Sequence, residues 1–128
     1  NSATLSINWE HTHVPVTIQV DTVSVLQPQI EAVMASDAAK KPYAQAAMFY
    51  YENDLDLKKA VAWMDAAITA QPDAFYLIYR KALIQAKQGD KAGALATAKQ
   101  SIEVANKTNG MAKSEYLRLN EMLIASLK

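Results

Sequence analysis

Residues 60–73 read AVAWMDAAITAQPD, and residues 94–107 read ALATAKQSIEVANK. When 56–73 is laid over 90–107, Asp56 meets Asp90, Ala60 meets Ala94, Ala62 meets Ala96 and Ile68 meets Ile102. Val61/Leu95 and Ala67/Ser101 are conservative pairs. The offset of 34 residues between Ala60 and Ala94 leaves room for two antiparallel helices per unit. Each such unit leaves one face uncovered. Small residues such as Ala60, Ala67, Ala94 and Ser101 let a neighbouring helix come close, so stacking the units buries those faces.

Working outward from the repeat, helical periodicity begins near residue 22, where Val23, Leu26, Ile30, Val33 and Met34 form one stripe. Pro28 interrupts that stripe, so the helix is expected to begin at Pro28 or to carry a disturbed first turn. SDAAKKP (36–42) reads as a loop, with Pro42 in the first turn of the next helix. Helices are expected at about 42–53, 57–70, 74–88, 91–106 and 112–127. Asp56 is the expected N-cap of the second of these, Pro72–Asp73 and Gly89–Asp90 each read as a stop and a new cap, and Asn109–Gly110 as a stop. Connections this short make neighbours antiparallel. The last helix presents Ala112, Tyr116, Leu119, Leu123 and Leu127 on one face, with Lys113, Glu115, Arg118, Glu121 and Lys128 elsewhere. That is the pattern of a capping helix. Two repeats and a cap fall below the usual count of about three. The helix at 22–36 and the segment before it are expected to supply the missing cover.

The first twenty residues follow a different period. Leu5, Ile7 and Trp9 alternate with Ser6, Asn8 and Glu10; Val14, Val16, Ile18 and Val20 then alternate with Pro15, Thr17 and Gln19. The apolar parity flips between the two runs, which places a turn or bulge at EHTH (10–13) and predicts a β-hairpin over 1–21. Pro15 cannot donate to a ladder and favours an edge. A lone hairpin is marginal in water, so it must lean on the helices, on further strands or on a second copy of the chain. The chain opens NSATLSINW, without an initiator Met. It reads as a piece of something longer, with 1–21 the remnant of an upstream β domain and 22–128 the helical domain. The fold expectation is mainly α: an antiparallel helical stack of two repeats plus a capping helix, with an N-terminal β-hairpin.

Composition bounds function. The chain has 128 residues, enough for one domain that buries roughly two-thirds of its unfolded surface. Thirteen basic and thirteen acidic residues cancel, so nothing in the net charge favours nucleic acid or anionic lipid. There is no cysteine, hence no disulfide, thiol nucleophile or thiolate metal site. No apolar run approaches the roughly 20 residues of a membrane span. No nucleophile elbow, Gly-rich phosphate loop or His–Glu metal helix is present, and no enzyme activity or cofactor is expected.

Over roughly residues 41–107 the sequence resembles the tetratricopeptide (TPR) family. Tyr51, Ala60, Ala67 and Pro72 stand where that pattern wants Tyr, Ala, Ala and Pro, and Met64 takes its large apolar place; Ala82, Gly89, Ala94 and Ser101 fit the small places of the second repeat. The departures are Ala44 for a large aromatic, Lys81 and Gln85 at places usually apolar, and Asn106 for the closing Pro. The stripe Phe75, Ile78, Tyr79, Ala82, Leu83, Ala86 suggests a helix rotated from the family's pose. A broader resemblance covers nearly the whole chain. LSINWEHTHVPVTIQVDT, AAMFYYENDLDLKKAVAWMDAAI and EYLRLNEMLI look like the C-terminal part of a bacterial family of unknown function that joins a small secreted β domain to such a helical tail. That likeness implies export to the periplasm or cell surface and brings no known activity.

Three groups of residues are candidate sites. His11 and His13 would share one side of a strand, a spacing zinc or copper could use, but with Glu10 alone nearby a solvated turn is the preferred reading. Glu52, Asp54 and Asp56 crowd a corner that could hold calcium, but helix capping explains Asp56 more simply. The aromatics Tyr43, Phe49, Tyr50, Tyr51, Trp63, Phe75, Tyr76 and Tyr79 are too many for a thin stack to hide entirely. TPR proteins bind peptides on their concave side. The resemblance would place there Gln45, Phe49, Glu52 and Asn53, then Tyr76, Tyr79, Arg80, Leu83 and Lys87. Cover by the hairpin and first helix is the competing reading.

The functional expectation is a non-catalytic protein–protein interaction module of an exported protein. It would bind a protein segment on the concave face, or form a homodimer through the hairpin's unpaired edge. The rival is a supporting tail for an enzyme or ligand-binding protein whose pocket lies in an upstream β domain.

Overall fold

The computed structural model describes the backbone of residues 2–9, 12–19 and 22–128, and side chains from residue 23 onward. Two units are present, residues 1–41 and 42–128.

In the first unit, the backbone of β1 (Ser2–Trp9) pairs antiparallel with that of β2 (Thr12–Gln19). The turn expected within 10–13, both faces of the expected hairpin and the His11–His13 pair fall outside the described residues. Helix α1 (Thr22–Ala35) follows. It contains Pro28 rather than beginning there, so the chain accepts a missing ladder N–H inside the helix. Its C-terminal carbonyls are taken up locally: the Ser36 hydroxyl donates to Val33 O at 2.7 Å and Lys41 Nζ to Met34 O at 2.9 Å.

The second unit holds five helices, α2 (Tyr43–Glu52), α3 (Leu57–Ala70), α4 (Phe75–Gln88), α5 (Lys91–Lys107) and α6 (Lys113–Ser126). Each packs on the next, and α4 also meets α2 and α6. Helices α2, α4 and α6 therefore form one layer and α3 and α5 the other. The described residues are thus mainly α, with six helices in all, and the arrangement of the second unit is compatible with a TPR-like repeat.

The alanines singled out by the repeat are where the helices meet. Ala60 and Ala94 are completely buried, as are Ser101, Ala82 and Ala98, and Ala67 is nearly so. Tyr50, Met64, Ile78 and Ile84 fill the remaining space. Burying each of these contributes about 1.5–3 kcal/mol. Helix α4 lies between its neighbours and is buried on several sides: Phe75, Leu77, Ile78, Ala82 and Ile84 are inside, while Tyr79, Leu83 and Ala86 are only half-buried. The stripe expected on this helix therefore widens to include Leu77 and Ile84. Lys81, anomalous in the repeat, sinks its stem and ion-pairs with Asp65 of α3.

Capping follows the sequence at three ends and departs from it at a fourth. The Asp56 carboxylate accepts from the N–H groups of Lys58 and Lys59, and that of Asp90 accepts from Gly93 N–H at 2.9 Å. Gly89 ends α4 in the left-handed region (φ 93°). Asp73, in contrast, caps nothing. Ala74 takes the N-cap position with no side-chain bond, because a turn from Gln71 O to Ala74 N sets the helix start one residue later.

Helix α6 corrects a second expectation. Its one fully buried residue is Asn120, which is not on the apolar face read from the sequence. The Asn120 amide donates to Ser101 Oγ at 2.9 Å and to Tyr116 O at 2.8 Å, and the Ser101 hydroxyl donates to Phe75 O at 2.8 Å. This chain of bonds ties α6 to α5 and α4. It satisfies the buried amide nitrogen of Asn120, while the side-chain oxygen Oδ1 is buried without a partner among the described residues.

Candidate functional site

The α2–α4–α6 layer carries a row of tyrosines. Tyr51 stands at the end of α2, Tyr79 in the middle of α4 and Tyr116 in the first half of α6. The Tyr79 hydroxyl is held above its ordinary pKa of 10.0, chiefly by burial, then by the Tyr51 and Tyr116 phenols beside it. Tyr116 of α6 is in ring contact with Tyr79, while Tyr51 of α2 acts on it through charge alone. The Tyr116 ring lies edge-on to Tyr79 at 5.6 Å and to Phe75 at 5.5 Å, and tilted to Tyr76 at 6.4 Å. These are favourable aromatic geometries, worth about 0.5–1.5 kcal/mol per pair beyond the area they bury.

The sequence-expected groove residues divide into exposed members and structural ones. Tyr76, Tyr79 and Leu83 are half-buried along α4, and Arg80 sits with its guanidinium 5.8 Å from the Tyr76 ring centre. The Tyr76 hydroxyl bonds Gln71 at 3.2 Å. Phe49 is half-buried and packs edge-on to Tyr50 at 6.4 Å. Glu52 and Gln45 are exposed on α2. Asn53 turns back on its own helix, donating Nδ2 to Phe49 O at 2.8 Å, so its amide serves as a helix stop. Lys87 is likewise committed: its ammonium bonds Tyr51 O, pairs with Asp54 at 2.7 Å and lies 4.6 Å from the centre of the Tyr51 ring. It fastens the end of α4 to the end of α2.

Among the eight aromatics singled out in the sequence, only Tyr50 and Phe75 are buried; the other six are half-buried. Tyr50 stacks edge-on against Trp63 at 4.8 Å inside the α2–α3 pair. The sequence reading put Tyr116 on the apolar face of the capping helix and Tyr51 among the clustered aromatics, and placed neither in the groove. The available signal was the alternation of layers, since every second helix shares a face and α6 is the third of that set.

The acidic corner works as connection rather than as a ligand cluster. Asp56 caps α3, Asp54 pairs with Lys87, and Leu55 N–H closes the turn onto Tyr50 O at 3.0 Å. Among the described residues, no three His, Cys, Asp or Glu side chains gather as a metal site would need. No described helix is long and apolar enough to cross a membrane.

No family's sequence profile, curated protein or solved structure matches the chain. The likeness to TPR repeats stands on the 34-residue repeat and the paired helices described above.

Proposed function

We propose that this chain is a non-catalytic interaction module of an exported bacterial protein, and that it grips a segment of a partner protein on the α2–α4–α6 layer. The observation that carries this reading is the row Tyr51–Tyr79–Tyr116, which crosses all three helices of one layer and stays half-exposed. Tyrosine offers a large rigid surface with few rotamers to freeze, plus a hydroxyl that can bond a peptide backbone. Such residues, together with arginine, dominate the energy of protein interfaces. Arg80, over Tyr76, supplies the charge beside them. Export is supported by the sequence likeness alone.

The test is selection of binding segments from a displayed library of the native envelope proteome. Affinities are then compared for the parent, a Tyr79→Ala/Arg80→Ala double variant and a Tyr116→Ala variant. The expected outcome is a loss of about tenfold or more in each variant with unchanged helical circular dichroism. Equal affinity in all three chains would refute the reading.

A further inference from the structure

An open cleft of about 410 Å³ lies between α5 and α6, away from the tyrosine row. Its floor is aliphatic, made by Leu95, Ile124 and Leu127, and its rim carries Lys91, Lys99 and Lys128. No Asp or Glu side chain lines it, and none of these three lysines is in an ion pair among the described residues. Helix α6 ends the stack with its aliphatic residues only half-covered and Met122 58% exposed. Lys91, Leu95 and Lys99 follow one another at four-residue steps along α5, rising about 6 Å each. A helix laid along the cleft presents its own side chains at the same pitch.

We propose that this cleft seats an amphipathic helix of acidic character from a partner protein, in the place a further repeat helix would fill. The occupant's apolar stripe covers Leu95, Ile124 and Leu127, and its flanking carboxylates meet the three lysines. Charge decides the chemistry: a neutral or basic helix would leave three ammonium groups unpaired beside buried apolar area. A second copy of this chain fits poorly, because none of its described helices carries more than two carboxylates. The site is separate from the tyrosine face, so it stands or falls without that reading.

The experiment uses the full 128-residue chain against a displayed library of helical peptides with fixed apolar positions at i, i+3, i+4 and i+7 and randomised flanks. Enrichment of Glu and Asp at the flanks is expected. Binding of a synthesised winner should weaken with added salt, fall roughly 10- to 100-fold in a Lys91→Glu/Lys99→Glu/Lys128→Glu variant, and persist in Tyr79→Ala. Circular dichroism confirms that the surface triple variant is folded. Four results would overturn the proposal. They are no enrichment, enrichment of basic or neutral flanks, undiminished binding by the triple variant, and a dimer in sedimentation that the triple variant dissolves. Retention of the parent but not the triple variant on phosphatidylglycerol vesicles, without peptide enrichment, would likewise overturn it and assign the face to a membrane surface.

Discussion

At the scale of single residues, the chain's most consequential side chains are small or polar. Ala60 and Ala94 could be read from the sequence because residue size is itself the message: a small side chain recurring at the repeat spacing can only mean close approach. Asn120 could not be read, because its burial depends on Ser101, 19 residues earlier and on another helix. Replacing Asn120 by Ala should cost about 1–3 kcal/mol in urea unfolding, since it strips the buried Ser101 hydroxyl of its donor and empties a packed site. Ala94→Leu should cost a similar amount, about 1–3 kcal/mol by the same assay, by forcing α5 off its neighbours. Tyr79 gives a pH signature. Its folded-state pKa lies above the ordinary 10.0, through burial first and then the neighbouring Tyr51 and Tyr116, so folding favours the neutral phenol. The stability it contributes is complete below pH 10 and is lost as the pH rises through the raised value. Urea midpoints at about pH 8 and about pH 11 should therefore differ less for Tyr79→Phe than for the parent.

At the scale of elements, helix bounds were largely legible because they rest on local chemistry. Asp56 and Asp90 accept from N–H groups two or three residues on, and Gly89 adopts a backbone that other residues enter only at a cost. Gly89→Ala finds open space for its methyl group but keeps φ at +93°, so it should destabilise α4 by about 1 kcal/mol in thermal unfolding. Asp73 misled because the same residue type also suits a turn that precedes a helix, and here the turn continues to Ala74. The join between α2 and α4 was not legible. Lys87 read as a groove cation, yet it holds Tyr51 O and Asp54, contacts set by two helices with a third between them. Lys87→Met should loosen the end of α2, seen as faster hydrogen exchange at Asn53 and Leu55 and little elsewhere.

At the scale of the whole molecule, the repeat predicted a stack of antiparallel helix pairs, with which the second unit is compatible, while the tyrosine row needed three helices placed side by side before it could be seen. Residues 42–128 form a compact unit with their own core, so a fragment of that span should unfold as one cooperative helical transition in circular dichroism. A broad, non-cooperative melt would show that the core is insufficient alone. The contacts of this unit run chiefly between helices adjacent in the chain. That gives it a low contact order, so little loop-closure entropy stands between the nascent chain and its native contacts. Folding can therefore begin at any adjacent pair, spread outward in both directions within milliseconds or less, and keep pace with synthesis as each helix emerges.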